Sequence, residues 1–258
     1  MSEYTKSELY DFKVEDHIGI LTLKHPPVNS FVEEMRVGIS EIFEDLNNRV
    51  DVHCVIINAE GKGFSGGQDL NEMLYQRKMN INIAVTVSRI TEAVYNCRVP
   101  IIAAVHGYVV GLGFAVASLC DIIIASEDAY FSFPEINVGT VGGPFWFKRI
   151  VPDKRARYYF YTAKKVPVEE MYRFGAVLKI TKREELMDEA MAVAKEICAS
   201  YPPSVWATKQ VIIEGEKEVQ DVVDVSDRMR YRGNRELLAG DPNKGGNRQQ
   251  TQALKAQR

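Results

Sequence analysis

Little in this chain points to an oxidising compartment, a membrane or a polyanion. Its four cysteines, Cys54, Cys97, Cys120 and Cys198, are scattered through 258 residues without a C-x-x-C pair. That pattern excludes a disulfide framework or thiolate zinc site and reads as reduced core thiols of a cytosolic protein. His17, His25, His53 and His106 form no pair at helical spacing, so no metal is expected. No apolar run approaches the roughly 20 residues of a membrane span. The opening stretch, MSEYTKSELYDF, carries Glu3 and Glu8 and no apolar centre, and is expected to be neither a secretory signal nor a transit peptide. A formal net charge of -3 without a basic run gives no pull toward nucleic acid or anionic lipid.

Present instead is ample material for a core: 46% of the residues are hydrophobic, enough for a chain of this length to fold by burial alone. Leu9 to Lys24 alternates as two strands around a turn at Glu15 and Asp16, until His25, Pro26 and Pro27 stop it. From Ser30, a candidate N-cap, the apolar residues Phe31, Met35, Ile39, Ile42 and Leu46 recur at helical steps above an acidic outer face. His53 to Asn58 reads as a buried strand and Ile81 to Asn96 as a helix. Asp121 to Ala125 and Ala129 to Phe133 read as further strands. Beyond Val151 the pattern turns mostly helical: Lys154 to Tyr161, Val168 to Phe174, Arg183 to Ser200, Pro203 to Glu214 and Val219 to Leu238, with a short strand at Val177 to Ile180. Strands alternating with helices predict an α/β fold with largely parallel pairing and ligands at the carboxyl ends of strands. Residues 1–200 are expected to form the core, and 201–258 a helical region ending in a polar tail from Gly240.

Glycines gather at two strand-to-helix junctions. Gly61, Gly63, Gly66 and Gly67 precede a helix opening near Gln68 and Asp69. Gly107, Gly111 and Gly113 precede the uncharged Phe114 to Cys120. Such turns let the backbone approach a ligand closely, and the first amides of the following helix lack intrahelical partners. The alternative is that these glycines only let a buried helix pack tightly on a sheet. A third pair, Gly142 and Gly143, precedes an aromatic helix. The GLGFAV run lacks the third glycine of a dinucleotide fingerprint, and Ser65 in FSGGQ is in no nucleophile elbow.

The stretches GKGFSGGQDLNEM at 61 to 73, VPIIAAVHGYVVGLGFAVASLCDIIIASEDAYFSFPEINVG at 99 to 139, and YTAKKVPVEEMYRFGAV at 161 to 177 together resemble the crotonase (enoyl-CoA hydratase/isomerase) superfamily, in order and spacing. The resemblance, which runs from about Ile18 to Ser200, implies a crotonase-like spiral of ββα units. It also implies a helical C-terminal trimerisation region with trimers often pairing as hexamers, and a coenzyme A thioester as substrate with no separate cofactor. By the same resemblance, the main-chain N–H groups of Gln68 and Leu112 form an oxyanion hole for the thioester oxygen. Glu135, in FPEINVG, falls on the position of the glutamate that moves protons or activates water. Read without the family, Glu135 is equally a turn cap or the partner of Lys148 or Arg149; in an apolar pocket a carboxylate becomes a stronger base. The coenzyme would run along Val28 and Phe31, then beside Ser65, Gly66, Gly67, Asp69 and Leu70, with Gly111 and Gly113 lining the second junction. Val28 and Phe31 also fit plain core packing, Lys24 and Lys62 are candidate phosphate contacts, and Met73, Leu74, Tyr75, Trp146 and Tyr172 are candidates for the acyl pocket or for core.

One position departs from the resemblance. Family hydratases with two glutamates carry the second at the place of Ala115, and alanine neither holds water nor moves a proton. A single-base shift of a 3-enoyl-CoA to the 2-enoyl-CoA needs only Glu135, the arrangement of the Δ3,Δ2-enoyl-CoA isomerases. Hydration or hydrolysis stays open, with Asp69, Glu72 or Glu92 as a possible second carboxylate. An RNA-binding scaffold, as in one family branch, is opposed by Glu33, Glu34, Glu41, Glu44 and Asp45 on the first helix.

Overall fold

The computed structural model describes residues 7–75, 81–138 and 143–216. In chain order the elements are β1 (Tyr10–Glu15), β2 (Ile18–Leu23), α1 (Glu33–Leu46), β3 (Cys54–Ala59), α2 (Leu70–Tyr75), α3 (Ile81–Asn96) and β4 (Ile101–Val105). Then come β5 (Tyr108–Val110), α4 (Leu112–Leu119), β6 (Ile122–Ser126), β7 (Tyr130–Ser132), a 3-10 turn at Pro134–Val138, α5 (Pro144–Ile150) and α6 (Asp153–Thr162). The chain continues through β8 (Val166–Pro167), α7 (Val168–Arg173), β9 (Lys179–Thr181), α8 (Leu186–Cys198) and α9 (Pro202–Gly215). The expected helix Val219–Leu238, the tail from Gly240 and Gly142 lie outside the described residues. No helix among the described residues is long and apolar enough to cross a membrane.

The larger sheet has the order β1-β2-β3-β4-β6-β9, antiparallel only at the β1–β2 hairpin and parallel elsewhere. Parallel strands need crossover connections, and the crossover helices cover the sheet. Period-two alternation divides the strands between the two faces. Leu21, Leu23, Val55, Ile57, Ile101, Ala103 and Val105 face the main core under α1, α3 and α4. Ile18, Ile20, Cys54, Ile56, Ile102, Ala104 and Ile124 face a second layer closed by Leu186, Ala190 and Ala194 of α8. All four cysteines are free thiols.

A second, smaller sheet, β5-β7-β8, is where the structure departs most from the sequence reading. The apolar run after Gly107 is not turn and helix alone; three residues of it form β5, which pairs in parallel with β7. Gly107 and Gly111, at φ +56° and +55°, turn the chain out of the large sheet into the small one and then into α4. Ser30 also differs from expectation: α1 begins at Glu33 with Val32 as its N-cap, and the Ser30 hydroxyl instead donates to Asp69 Oδ2 at 2.9 Å. Helix α2 starts at Leu70, because Asp69 Oδ1 accepts from the amides of Asn71 and Glu72 at 2.8 and 3.2 Å, the pattern of an N-cap.

Candidate functional site

The two glycine junctions lie side by side because main-chain bonds sew them together. Ser65 N–H donates to Tyr108 O at 3.1 Å, and Val110 N–H donates back to Ser65 O at 2.9 Å. Gly66 N–H donates to Val28 O at 2.8 Å. The buried Ser65 hydroxyl donates to Asn29 O at 2.7 Å and accepts from Gly67 N–H at 3.1 Å. Gly113 has to be glycine here, since a β-carbon would come 2.5 Å from Ser65 Cβ. The first junction is joined to the chain before α1 as well. Phe31 N–H donates to Gly67 O at 2.8 Å, and Asp69 N–H donates to Phe31 O at 3.1 Å. In such a parallel bridge the residue between the two bonds, Gln68, turns its own N–H to the opposite edge.

On that edge the second junction arrives. A β-carbon built on Gly67, which sits at φ +91°, would lie 3.3 Å from the Leu112 nitrogen and 2.9 Å from Val110 O. Leu112 is the first residue of α4, so its N–H is one of the orphan donors of a helix start. A β-carbon on Gly111 would lie 2.9 Å from Glu135 Oε1 and 3.6 Å from Gly67 Cα. Gly67, Gly111, the Leu112 amide and the Glu135 carboxylate therefore meet within a few ångströms, and the absence of side chains at both glycines is what allows it.

Glu135 is half-buried in the 3-10 turn Pro134–Val138. Aromatic rings hold that turn against α4: Phe133 stacks on Phe114 with centroids 4.6 Å apart and on Phe160 at 4.9 Å, and Phe147 closes edge-on against Phe114 at 5.3 Å. The two bases considered as partners of Glu135 are engaged elsewhere, Lys148 with Asp153 and Arg149 with Glu216, both at 3.1 Å. Ala115 lies in the buried face of α4. Of the other carboxylates, Asp69 caps α2, Glu72 pairs with Arg36 at 3.0 Å and Glu92 is exposed.

The remaining candidates divide. Val28 and Leu70 are half-buried beside the first junction, whereas the Phe31 ring is fully buried in the main core, leaving only its main chain at the site. Trp146 is core, packed near Tyr95, and Tyr172 is 54% exposed. Lys62 is exposed and Lys24 half-buried. A separate cavity of about 260 Å³ lies on the α8 side, lined by Asn58, Gly61, Ala104, His106 and Arg183, away from Glu135. Burial, and then the Arg183 charge, hold the His106 imidazole below its ordinary range. Among the described residues, no group of three or more His, Cys, Asp or Glu is arranged to hold a metal ion.

Sequence reading overlooked Arg36. Its guanidinium is fully buried beside Gln68. The signal was available: a base directly after Met35 and three before Ile39, on the stripe that periodicity assigns to the core.

The fold thus brings two glycine junctions against one carboxylate. Residues 13–231 match the enoyl-CoA hydratase/isomerase family, and the chain belongs to that family of acyl-CoA-processing enzymes. It is 34% identical over 201 residues to a (7aS)-7a-methyl-1,5-dioxo-2,3,5,6,7,7a-hexahydro-1H-indene-carboxyl-CoA hydrolase of Rhodococcus jostii strain RHA1, covering 76% of this chain and 77% of the relative. It is 29% identical over 210 residues to a short-chain-enoyl-CoA hydratase of Clostridium acetobutylicum, covering 78% and 79% of the two. Its fold is that of a crystallised enoyl-CoA hydratase/isomerase from Xanthobacter autotrophicus Py2, with a TM-score of 0.86 at 24% identity over 93% of this chain and 91% of the other.

Proposed function

We propose that the protein converts 3-enoyl-CoA to 2-enoyl-CoA through a thioester enolate, with Glu135 as its single acid–base group. The observation that carries this reading is the meeting of Gly67, Gly111, the Leu112 amide and Glu135 Oε1. The substrate thioester oxygen accepts from the N–H groups of Gln68 and Leu112. Glu135 takes a proton from C2, the C3–C4 double bond moves to C2–C3 through the dienolate, and the same proton is returned to C4. Charge develops on the oxygen between fixed main-chain donors, which need not reorganise, and losing one such donor costs about 2.7 to 4 kcal/mol of transition-state stabilisation. Ala115, the engagement of Asp69 and Glu72, and the exposure of Glu92 support one base rather than two. The coenzyme follows Val28 and the 65–70 segment. It enters as part of the substrate, and no other cofactor takes part. The exposed Tyr201, Val211 and Ile212, at 72%, 72% and 55%, support a trimer contact through α9.

A second reading, hydrolysis of a cyclic diketo-carboxyl-CoA with Glu135 activating water, is favoured by the name of the 34% identical relative. One experiment separates the two. Purified protein and Glu135→Gln are given 3-enoyl-CoA, 2-enoyl-CoA and a bicyclic diketo-carboxyl-CoA, with water uptake followed by mass in deuterated water and the 2-enoyl product by the ultraviolet absorption of its conjugated thioester. Isomerisation predicts 2-enoyl product with no gain of water, lost in the variant. Uptake of one water on the cyclic substrate alone establishes the hydrolase, and uptake on the 2-enoyl substrate establishes a hydratase.

A further inference from the structure

We infer that Arg36 and Glu72 form a positioning clamp for the Gln68 main-chain donor; the inference rests on the enolate reading above. Arg36 Nη1 donates to Gln68 Oε1 at 3.0 Å, to Glu72 Oε2 at 3.0 Å and to Phe31 O at 2.8 Å, and its Nε donates to Thr86 Oγ1 at 2.8 Å. Gln68 Nε2 donates to the same Glu72 oxygen at 3.0 Å. The Gln68 side chain is thus held at both ends of its amide. Phe31, whose main chain brackets Gln68, is gripped by the same guanidinium. Glu72 Oε1 accepts from Glu33 N–H at 2.6 Å, which ties the clamp to the first turn of α1.

Stability alone is a poor reason for this arrangement. Removing a guanidinium from water costs about as much as a partly buried partner returns, and apolar side chains of equal volume often serve better. The cost is higher here because Arg36 Nη2 is buried with no hydrogen-bond partner among the described residues. What the charged pair supplies, and a Met–Leu contact cannot, is directed bonds that fix Gln68 in rotation. An oxyanion donor acts by being in place before charge develops, and a misplacement of about 1 Å can lower a rate on the order of 10²-fold.

The test uses steady-state kinetics on 3-enoyl-CoA and a cinnamoyl-type CoA thioester, whose absorption moves to longer wavelength when its bound carbonyl is polarised. Arg36→Met, Glu72→Gln and Gln68→Leu are each expected to lower kcat by on the order of 10²-fold with KM nearly unchanged, and to shrink the wavelength shift of the bound probe. Combining Arg36→Met with Gln68→Leu is expected to cost little beyond the worse single change, because both act through one donor. Glu135→Gln is expected to lose turnover and keep the full shift. Folded variants that bind the probe with an unchanged shift overturn the clamp. If Arg36→Met does not fold, Glu72→Gln, which preserves shape and leaves Arg36 in place, decides by the same readout. A wild-type protein that binds the probe with no shift overturns the oxyanion reading itself, and the clamp with it.

Discussion

Gly67 and Gly111 hold φ values of +91° and +55°, and the lack of a side chain at each has a different consequence. At Gly111 a methyl group would press on Glu135 Oε1; at Gly67 it would press on Val110 O and approach the Leu112 nitrogen. Gly67→Ala is therefore expected to weaken function more than fold. Strained backbone of this kind costs about 1–3 kcal/mol, which a urea titration measures. Activity on the acyl-CoA substrate is expected to fall by at least about 10²-fold, the size of effect that follows loss of an oxyanion donor. A variant with wild-type kcat/KM would show that nothing reactive binds between Gly67 and Leu112.

At the scale of elements, α4 is buried on all sides, Leu112 through Leu119, and its Phe114 is the hub of the rings that seat the Glu135 turn. Phe114→Ala is expected to cost about 3–5 kcal/mol, as large core truncations do, seen as a lower urea midpoint at unchanged slope. The main elements were legible in the sequence because their signals are local. Helical steps at Met35, Ile39, Ile42 and Leu46 gave α1, a continuous apolar run gave β3, and the two glycine clusters marked both junctions. What was not legible depends on partners distant in the chain. Tyr108–Val110 is a strand only because β7 lies beside it, and three residues carry no periodicity of their own. Ser30 has the chemistry of an N-cap, but Asp69, 39 positions away, takes its hydroxyl. Arg36 illustrates a different failure: a base on an amphipathic helix is usually solvated, and only the fold brings Gln68, Glu72 and Thr86 around it.

At the scale of the whole molecule, Cys54, Cys97 and Cys120 lie at the interfaces between the sheet and its helices, and burial above all pushes their thiols up from the ordinary value of 9.0. Burial, then the bond to Glu216, pushes Tyr95 up to about 12. A raised thiol or phenol keeps its proton in the folded state after the unfolded chain has released it. Below pH 9.0 both states are protonated at these thiols and stability is unaffected; above it, the unfolded state alone loses protons and stability falls. The urea midpoint is expected to be level through neutral pH and to decline from about pH 9 upward, and a Cys54→Ala, Cys97→Ala, Cys120→Ala variant is expected to be less stable at pH 7 but to have a flatter alkaline limb. An equally steep decline in that variant would assign the effect to other groups. The proposed placement of charge stabilisation on the main chain also bears on how such a protein changes over generations. Among coded residues only proline lacks the peptide N–H, so nearly any replacement at Leu112 leaves its donor in the genome's keeping. On that proposal, side chains around α4 and Glu135 can change with the acyl group while the donor stays; relatives of this chain carry the names of a hydrolase, a hydratase and a dehydratase.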